Sequence, residues 1–182
     1  MSDSGNIAAW VQAIGSIVAI GVAIYVPWKQ HQREIKQAEK TDQLKARALA
    51  HSIDSSFYAL RAKTRGVQKG FRSHFKECIE KTEYNKIRLL RINFSDNLER
   101  HMPELWMLGA TPSIPVIKAI SLARSFDEMV EKLADDLNAG RRRRDETLEL
   151  EGKFEVALVE ICEYCDQGIE ALKALTGRGP EV

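Results

Sequence analysis

Several absences in this 182-residue chain limit what it can do. The sequence contains no glycine-rich phosphate loop, no nucleophile elbow and no H-E-x-x-H motif, so the usual signatures of catalysis are missing. It also lacks an alternating strand pattern and an internal repeat. Only three cysteines occur, and a disulfide framework is not expected for thiols kept reduced in a cytosol. These absences favour an all-α protein that is not an enzyme.

Charged residues are absent from residues 7–28. This apolar stretch includes only Gln12 and Ser16 as clearly polar members. As a helix it would measure about 33 Å, which exceeds the roughly 30 Å hydrocarbon core of a bilayer. Its apolar residues surround the helix axis, whereas a buried helix of a soluble core would favour one face. The pattern predicts a transmembrane helix over residues 7–28.

The flanks of this segment predict its orientation. A cleaved signal peptide is not expected, because no basic residue precedes the apolar stretch and no small-residue cleavage site follows it. Lys29, Arg33 and Lys36 come directly after it, and Lys and Arg near a span stay in the cytoplasm. We therefore expect a bacterial inner-membrane protein with residues 1–6 outside the cytoplasm and everything after residue 28 inside.

Small and polar side chains recur along one face of the predicted span. The face carries Gln12, Gly15, Ser16, Ala19 and Ala23. Small residues allow close helix contact in lipid, and polar ones can hydrogen-bond across it. The stripe predicts a homo-oligomer; a pore with Gln12 turned inward and a lone anchor with ordinary small residues are the alternatives.

Charge is divided unevenly along the rest of the chain. Residues 29–91 hold 16 basic and 7 acidic residues, giving +9, whereas residues 92–182 hold 11 basic and 18 acidic residues, giving −7. The two segments are expected to pack against each other. The basic segment could also lie near anionic lipid headgroups.

Helical periodicity defines the remaining organisation. The sequence predicts a mostly helical segment up to about residue 92, and apolar residues spaced three, four or seven apart, such as Leu49 and Ile53, form one seam along it. The same spacings predict the inward faces of two later helices, which include Val116 and Phe154.

The other predicted segments follow from where such a seam is present or absent. Residues 29–48 lack an apolar seam and are predicted to be a polar helical stalk, followed by a cytoplasmic bundle over residues 49–176 and a flexible tail over residues 177–182. The membrane helix is expected to continue into a long helix that packs with two further long helices and one short helix as an antiparallel bundle. Ser113 is predicted to cap the second long helix, and the last is predicted to begin near Arg142.

Two side-chain groups could bind a ligand. His74, Cys78, Cys162 and Cys165 lie on predicted inward faces, and if those faces meet they could hold Zn²⁺ tetrahedrally. The alternative is that the cysteines are small buried hydrophobic residues and that no cofactor binds.

The second group is a run of four arginines. Arg141, Arg142, Arg143 and Arg144 could bind phosphate, because guanidinium groups chelate phosphate oxygens. The alternative is a solvated turn neutralised by neighbouring Asp and Glu residues. Nucleic acid is not an expected partner, since no aromatic side chains for base stacking lie nearby.

One short segment resembles a known group. Residues Trp10 to Ile20 read WVQAIGSIVAI, and a polar helix follows the apolar stretch. This resembles the start of a loose group of small uncharacterised bacterial single-pass membrane proteins, often found in prophages or other mobile regions. The resemblance implies a membrane effector of phage defence or superinfection exclusion.

Together these patterns predict a non-enzymatic single-pass membrane protein whose cytoplasmic helices bind an unidentified protein partner. The alternative is a membrane-tethered binder of phosphate-bearing ligands, such as a nucleic acid, a nucleotide or a lipid headgroup, through Arg141 to Arg144.

Overall fold

The computed structural model describes residues 4–177, except the side chains of residues 4–11, 13, 14, 17, 18 and 144. Within this range the protein is all-helical and contains no strand, which confirms the predicted class. Two 3-10 helices span Tyr84–Leu90 and Met102–Leu108. The α-helices are α1 (Ser4–Glu80), α2 (Asp96–His101), α3 (Ala110–Asn138), α4 (Arg144–Leu148) and α5 (Glu151–Thr176).

The chain divides into two compact units between Leu44 and Lys45. We call residues 4–44 the N-terminal arm and residues 45–177 the bundle. The predicted bundle starts at residue 49, but Ala46 is already buried. The predicted end segments, residues 1–6 and 177–182, lie outside the described residues except for Ser4 to Asn6 and Gly177.

The N-terminal arm buries none of its described side chains. Ile20, Ile24 and Trp28 are 60%, 68% and 59% exposed, respectively. Pro27 lies inside the helix, where it offers no backbone N–H to the carbonyl one turn earlier. Among the described side chains, no helix has a segment long and apolar enough to cross a membrane. Some side chains of the predicted span over residues 7–28 are outside the described set.

The bundle has one continuous apolar core, built from the predicted helical faces. Of the α1 seam, Leu49, Ile53, Phe57, Leu60, Phe71 and Cys78 are buried and Val67 is partly buried. The predicted faces of α3 and α5 are likewise buried, with Leu175 only partly covered. Spacings of three, four and seven residues therefore identified the core correctly.

Two layers of the core define the helix directions. In one layer, a Cβ added at Gly168 on α5 would lie 2.5 Å from the Phe57 ring of α1 and 3.2 Å from Val116 of α3. In the other, the Phe126 ring centroid lies 6.2 Å from that of Phe71 and 5.6 Å from that of Phe154. Thus α5 runs antiparallel to α1 and α3, as predicted, but α1 and α3 run parallel to each other.

The parallel pair requires a connection that returns along the bundle, and residues 81–109 supply it. α1 ends at Glu80, earlier than the predicted end near residue 92, and Thr82 takes a left-handed conformation with φ 58°. Farther along, the Asp127 carboxylate accepts hydrogen bonds from the backbone N–H of Ile92 (2.6 Å) and Asn93 (2.9 Å). Burial raises the pKa of Asp127, although these two bonds oppose the shift.

Two predicted helix starts are wrong. Ser113 does not cap α3, which begins at Ala110 after Gly109 with φ 87°; the Ser113 hydroxyl instead lies 3.3 Å from the Ala110 carbonyl. The predicted last helix is divided into α4 and α5. A bond from Leu150 N–H to the Thr147 carbonyl (3.1 Å) closes a tight turn between them.

Ion pairs join the basic and acidic segments within the bundle. Arg65 contacts Asp166 at 3.0 Å and Arg72 contacts Glu155 at 2.9 Å, both linking α1 to α5. Arg88 contacts Glu131 of α3 at 2.8 Å. The basic and acidic segments therefore pack against each other within the bundle, as expected.

Candidate functional site

The predicted zinc ligands are not brought together. Cys162 lies on α5 with its Sγ 3.6 Å from Gln68 Oε1 of α1. Cys78 comes ten residues after Gln68, which corresponds to about 15 Å along the helix. Among the described residues, no group of three or more His, Cys, Asp or Glu side chains could hold a metal ion. The zinc prediction for His74, Cys78, Cys162 and Cys165 is therefore wrong, because the register of α1 against α5 separates its two halves.

The three cysteines are instead part of the apolar interior. Cys165 is fully buried, and burial raises its pKa to about 12. Burial also raises the pKa values of Cys78 and Cys162. Their thiols stay protonated at neutral pH, so they pack as small hydrophobic groups.

The arginine run has a different role at each described position. Arg141 Nε donates a hydrogen bond to Asp136 Oδ1 at 2.9 Å, and Arg141 Nη2 forms an ion pair with the same oxygen at 2.9 Å. Arg142 is half-buried and lines a cleft. Arg143 is exposed, and its carbonyl accepts a bond from the Thr147 hydroxyl at 2.9 Å at the start of α4. The Arg144 side chain lies outside the described residues.

The cleft that Arg142 lines has a volume of about 250 Å³ and lies between α3 and α5. Its apolar lining consists of Met129, Leu133, Leu150 and Phe154. Phe154 also belongs to the aromatic layer of the core, so one wall of the cleft is fixed by packing. Two lysines complete the lining from opposite helices, Lys132 on α3 and Lys153 on α5.

The electrostatics of the cleft favour an anion. Within the described part of the chain, no carboxylate lies within 4 Å of the Lys132, Arg142 or Lys153 charge. Asp136 also lines the cleft, but Arg141 already neutralises it. Three basic side chains therefore line the cleft and form no ion pair with the described residues, in contrast to the paired arginines of α1.

Sequence reasoning found one of these cations and missed the two lysines. Lys132 and Lys153 occur in the acidic segment, where basic residues are few, and each precedes a buried core residue. Both signals are visible in the sequence. The sequence does not show that Lys132 and Lys153 line the same cleft as Arg142.

The small-residue stripe of the N-terminal arm is exposed throughout. A Cβ added at Gly15 would meet nothing within 4 Å. The Ser16 hydroxyl donates to the Gln12 carbonyl of its own helix at 2.9 Å, so its proton is already used. The Gln12 side chain is exposed and is the stronger candidate for a bond between helices.

No protein-family model matches this chain, and neither a curated protein nor a solved structure matches it.

Proposed function

We propose that the protein is a non-enzymatic single-pass membrane protein whose bundle binds a protein partner in the bacterial cytoplasm. The observation that carries this proposal is the exposed apolar run from Ile20 to Trp28, which continues a charge-free sequence that starts at residue 7. Exposed apolar surface of this extent marks a site covered by a partner or by lipid. A run that surrounds the helix axis favours lipid.

The proposed orientation rests on the end of this run. Tyr25 and Trp28 lie with ring centroids 6.2 Å apart, and aromatic residues of this kind favour the membrane interface. The Lys29 ammonium lies 5.5 Å from the Tyr25 ring centroid and begins the basic segment. This arrangement supports an interface at residues 25–29 with the bundle on the cytoplasmic side.

Membrane fractionation of the full-length protein tests the anchor. We expect it in the membrane fraction, resistant to carbonate extraction. An arginine costs about 3 kcal/mol near the centre of a span and less towards its end, so the two substitutions of the double variant Ile20→Arg/Ile24→Arg should together move the protein to the aqueous fraction. Leu44→Arg is the matched control, because Leu44 is 66% exposed but outside the run, and it should stay with the membrane. Wild-type protein that stays monodisperse in buffer without detergent would refute the anchor.

We further propose that the stripe of Gln12, Gly15, Ser16, Ala19 and Ala23 mediates self-association. Ala19→Cys should give a disulfide-linked dimer in oxidised membranes, whereas Gly21→Cys, on the other side of the helix, should not. The native cysteines are buried and do not interfere. Equal crosslinking at both positions, or none at either, would contradict the stripe.

A role in phage defence or superinfection exclusion is the biological form of this proposal, and it rests on the resemblance of residues 10–20. Plaque counts on cells expressing wild type or Ile20→Arg/Ile24→Arg test it. Protection should require the membrane-bound form. Equal plaque counts with wild type and with empty vector over a broad phage panel would remove it.

A second candidate function is binding of phosphate-bearing ligands, and the position of Arg142 beside Lys132 and Lys153 favours it. A ligand that binds only the folded state raises the unfolding temperature. Inorganic pyrophosphate should therefore stabilise the wild type, and Arg142→Gln should abolish the effect. Arg143→Gln, one residue away but outside the cleft lining, should keep it. Equal loss in both variants would indicate diffuse charge attraction rather than a site.

A further inference from the structure

We infer that the cleft between α3 and α5 binds a small phosphate monoester whose carbon part is mainly apolar; this inference rests on the second proposed function. Its apolar wall and its cations lie on the same 250 Å³ space, so a ligand filling it must satisfy both. Inorganic phosphate would leave the exposed part of Met129, which is 46% exposed, without an apolar contact. An uncharged hydrocarbon would leave three cations without a counter-charge.

The polar groups of the cleft distinguish an apolar carbon part from a nucleobase. A base needs hydrogen-bond donors and acceptors at its edge. The described lining offers one carboxylate, Asp136, which accepts a hydrogen bond from Arg141 and forms an ion pair with it. The remaining lining side chains are apolar or cationic, and cations at this site are taken by the phosphate. An aryl or short acyl-glycerol phosphate therefore matches the lining better than a nucleotide does.

We expect the three cations of the cleft to lower the stability of the fold. Like charges without partners repel each other and destabilise the compact state. Replacing Lys132 or Lys153 by Gln should leave the unfolding temperature unchanged or raise it, while ligand binding is lost. A purely structural role would give the opposite result, a fall in unfolding temperature.

Calorimetry with 2-naphthyl phosphate tests the ligand class, using full-length protein in nanodiscs of zwitterionic lipid and empty nanodiscs as the blank. We expect it to bind at least about tenfold more tightly than inorganic phosphate and than 2-naphthol, because charge-assisted bonds and apolar burial each contribute more than about 1.4 kcal/mol. Arg142→Gln should weaken it about tenfold or more and Arg143→Gln should not.

A variant of the apolar wall separates the ligand class from the anion site. Met129 is 46% exposed, so Met129→Ser should fold normally. This variant should bind 2-naphthyl phosphate about three- to tenfold more weakly than the wild type does, and its affinity for pyrophosphate should be unchanged. Phosphate binding with no gain from the naphthyl group would overturn the inference but keep the anion site. Binding of neither anion would overturn both.

Competition identifies the source of the phosphate. Dihexanoyl phosphatidic acid, used below its micellar concentration, should displace 2-naphthyl phosphate, and adenosine monophosphate should do so at least about tenfold less well. Equal displacement by adenosine monophosphate would overturn the apolar part of the inference in favour of a nucleotide.

Discussion

The N-terminal arm and the bundle share one helix, α1, yet differ in what surrounds their side chains. From Ala19 to Lys45 every side chain is exposed, whereas from Ala46 onward one face of α1 is buried. Both regions are helical, so the difference lies in burial and not in secondary structure. The difference shows that burial follows the apolar seam. The seam residues of α1 belong to the same core as α3 and α5, whereas the apolar residues of the arm are exposed.

The largest effect should come from removing a core aromatic ring. Phe71 is 1% exposed and contacts three other rings, so Phe71→Ala should lower the free energy of unfolding by about 4 kcal/mol. Ile24→Ala in the arm should leave denaturant unfolding of the bundle unchanged, since Ile24 is 68% exposed. A comparable loss in both variants would show that the arm is covered by the bundle and would abolish the distinction.

Buried polar contacts should give the next largest effect. Asp127→Ala removes the acceptor of two backbone N–H groups, those of Ile92 and Asn93. This should lower the free energy of unfolding by about 3 kcal/mol. In the arm, Thr41 donates to the Gln37 carbonyl at 2.9 Å in full exposure, so Thr41→Ala should change stability by less than about 0.5 kcal/mol. Urea unfolding of both variants measures the contrast, and an equal cost would contradict it.

Glycine substitutions separate packed from open backbone. A Cβ at Gly168 would lie 2.5 Å from the Phe57 ring, and Phe57 is itself fully buried, so Gly168→Ala should destabilise the bundle by about 2 kcal/mol. Gly15→Ala meets nothing within 4 Å and should not affect bundle unfolding. A loss of Ala19→Cys crosslinking on adding Gly15→Ala would indicate that two copies of the helix are in close contact at Gly15. Unchanged unfolding of Gly168→Ala would show that the two helices are not in close contact there.

The buried thiols make the stability of the bundle depend on pH, and the arm contains no cysteine. Cys165 has an ordinary pKa near 9.0 when unfolded and one of about 12 when folded, so the folded state retains its proton. Its contribution to stability is complete below pH 9 and is lost as the pH rises towards 12, by at most about 1.4 kcal/mol per pH unit. Cys165→Ala should reduce the slope of stability against pH in that range.

Alkylation at pH 8 provides the counterpart in the arm. Gln37→Cys should react readily because its surroundings are exposed, whereas Cys165 should react only after unfolding. Mass spectrometry of the labelled peptides distinguishes the two. Rapid labelling of Cys165 in the native protein would show that α5 opens from the bundle.

The smallest effect should come from surface ion pairs. Asp166→Asn removes the partner of Arg61 and Arg65, and such half-exposed pairs contribute about 0.5 to 1 kcal/mol. The loss should shrink as salt is added, because screening already weakens the pair in the wild type. A salt-independent loss would mean that Asp166 acts through packing instead.

The core of the bundle was predictable because it depends on local periodicity. Val116, Ile120 and Phe126 could be assigned to one face of α3 from their spacing, and all three are fully buried. Register and direction depend on contacts between distant segments. The separation of Cys78 from Cys162, and the parallel course of α1 and α3, follow from how Phe57 meets Gly168 and had no local signal.

The candidate site was predictable only in part for the same reason. The arginine run was visible as a charge cluster, but Asp136 pairs with Arg141 and leaves Arg142 to line the cleft. Lys132 joins it from a position ten residues earlier, and Lys153 from eleven residues later. Only the meeting of α3 and α5 places the three charges around one cleft.

The order of the helices along the chain has a consequence for synthesis, because the first helix of the bundle is enclosed by later ones. The ribosome completes α1 about a hundred residues before α5, a delay of about 5 to 20 s at typical rates of translation. During that interval the apolar seam from Leu49 to Cys78 has no intramolecular cover from the helices that later enclose it. A nascent chain arrested when residues up to 80 have left the ribosome should therefore recruit a chaperone, and the chain should release it once residue 176 has also emerged.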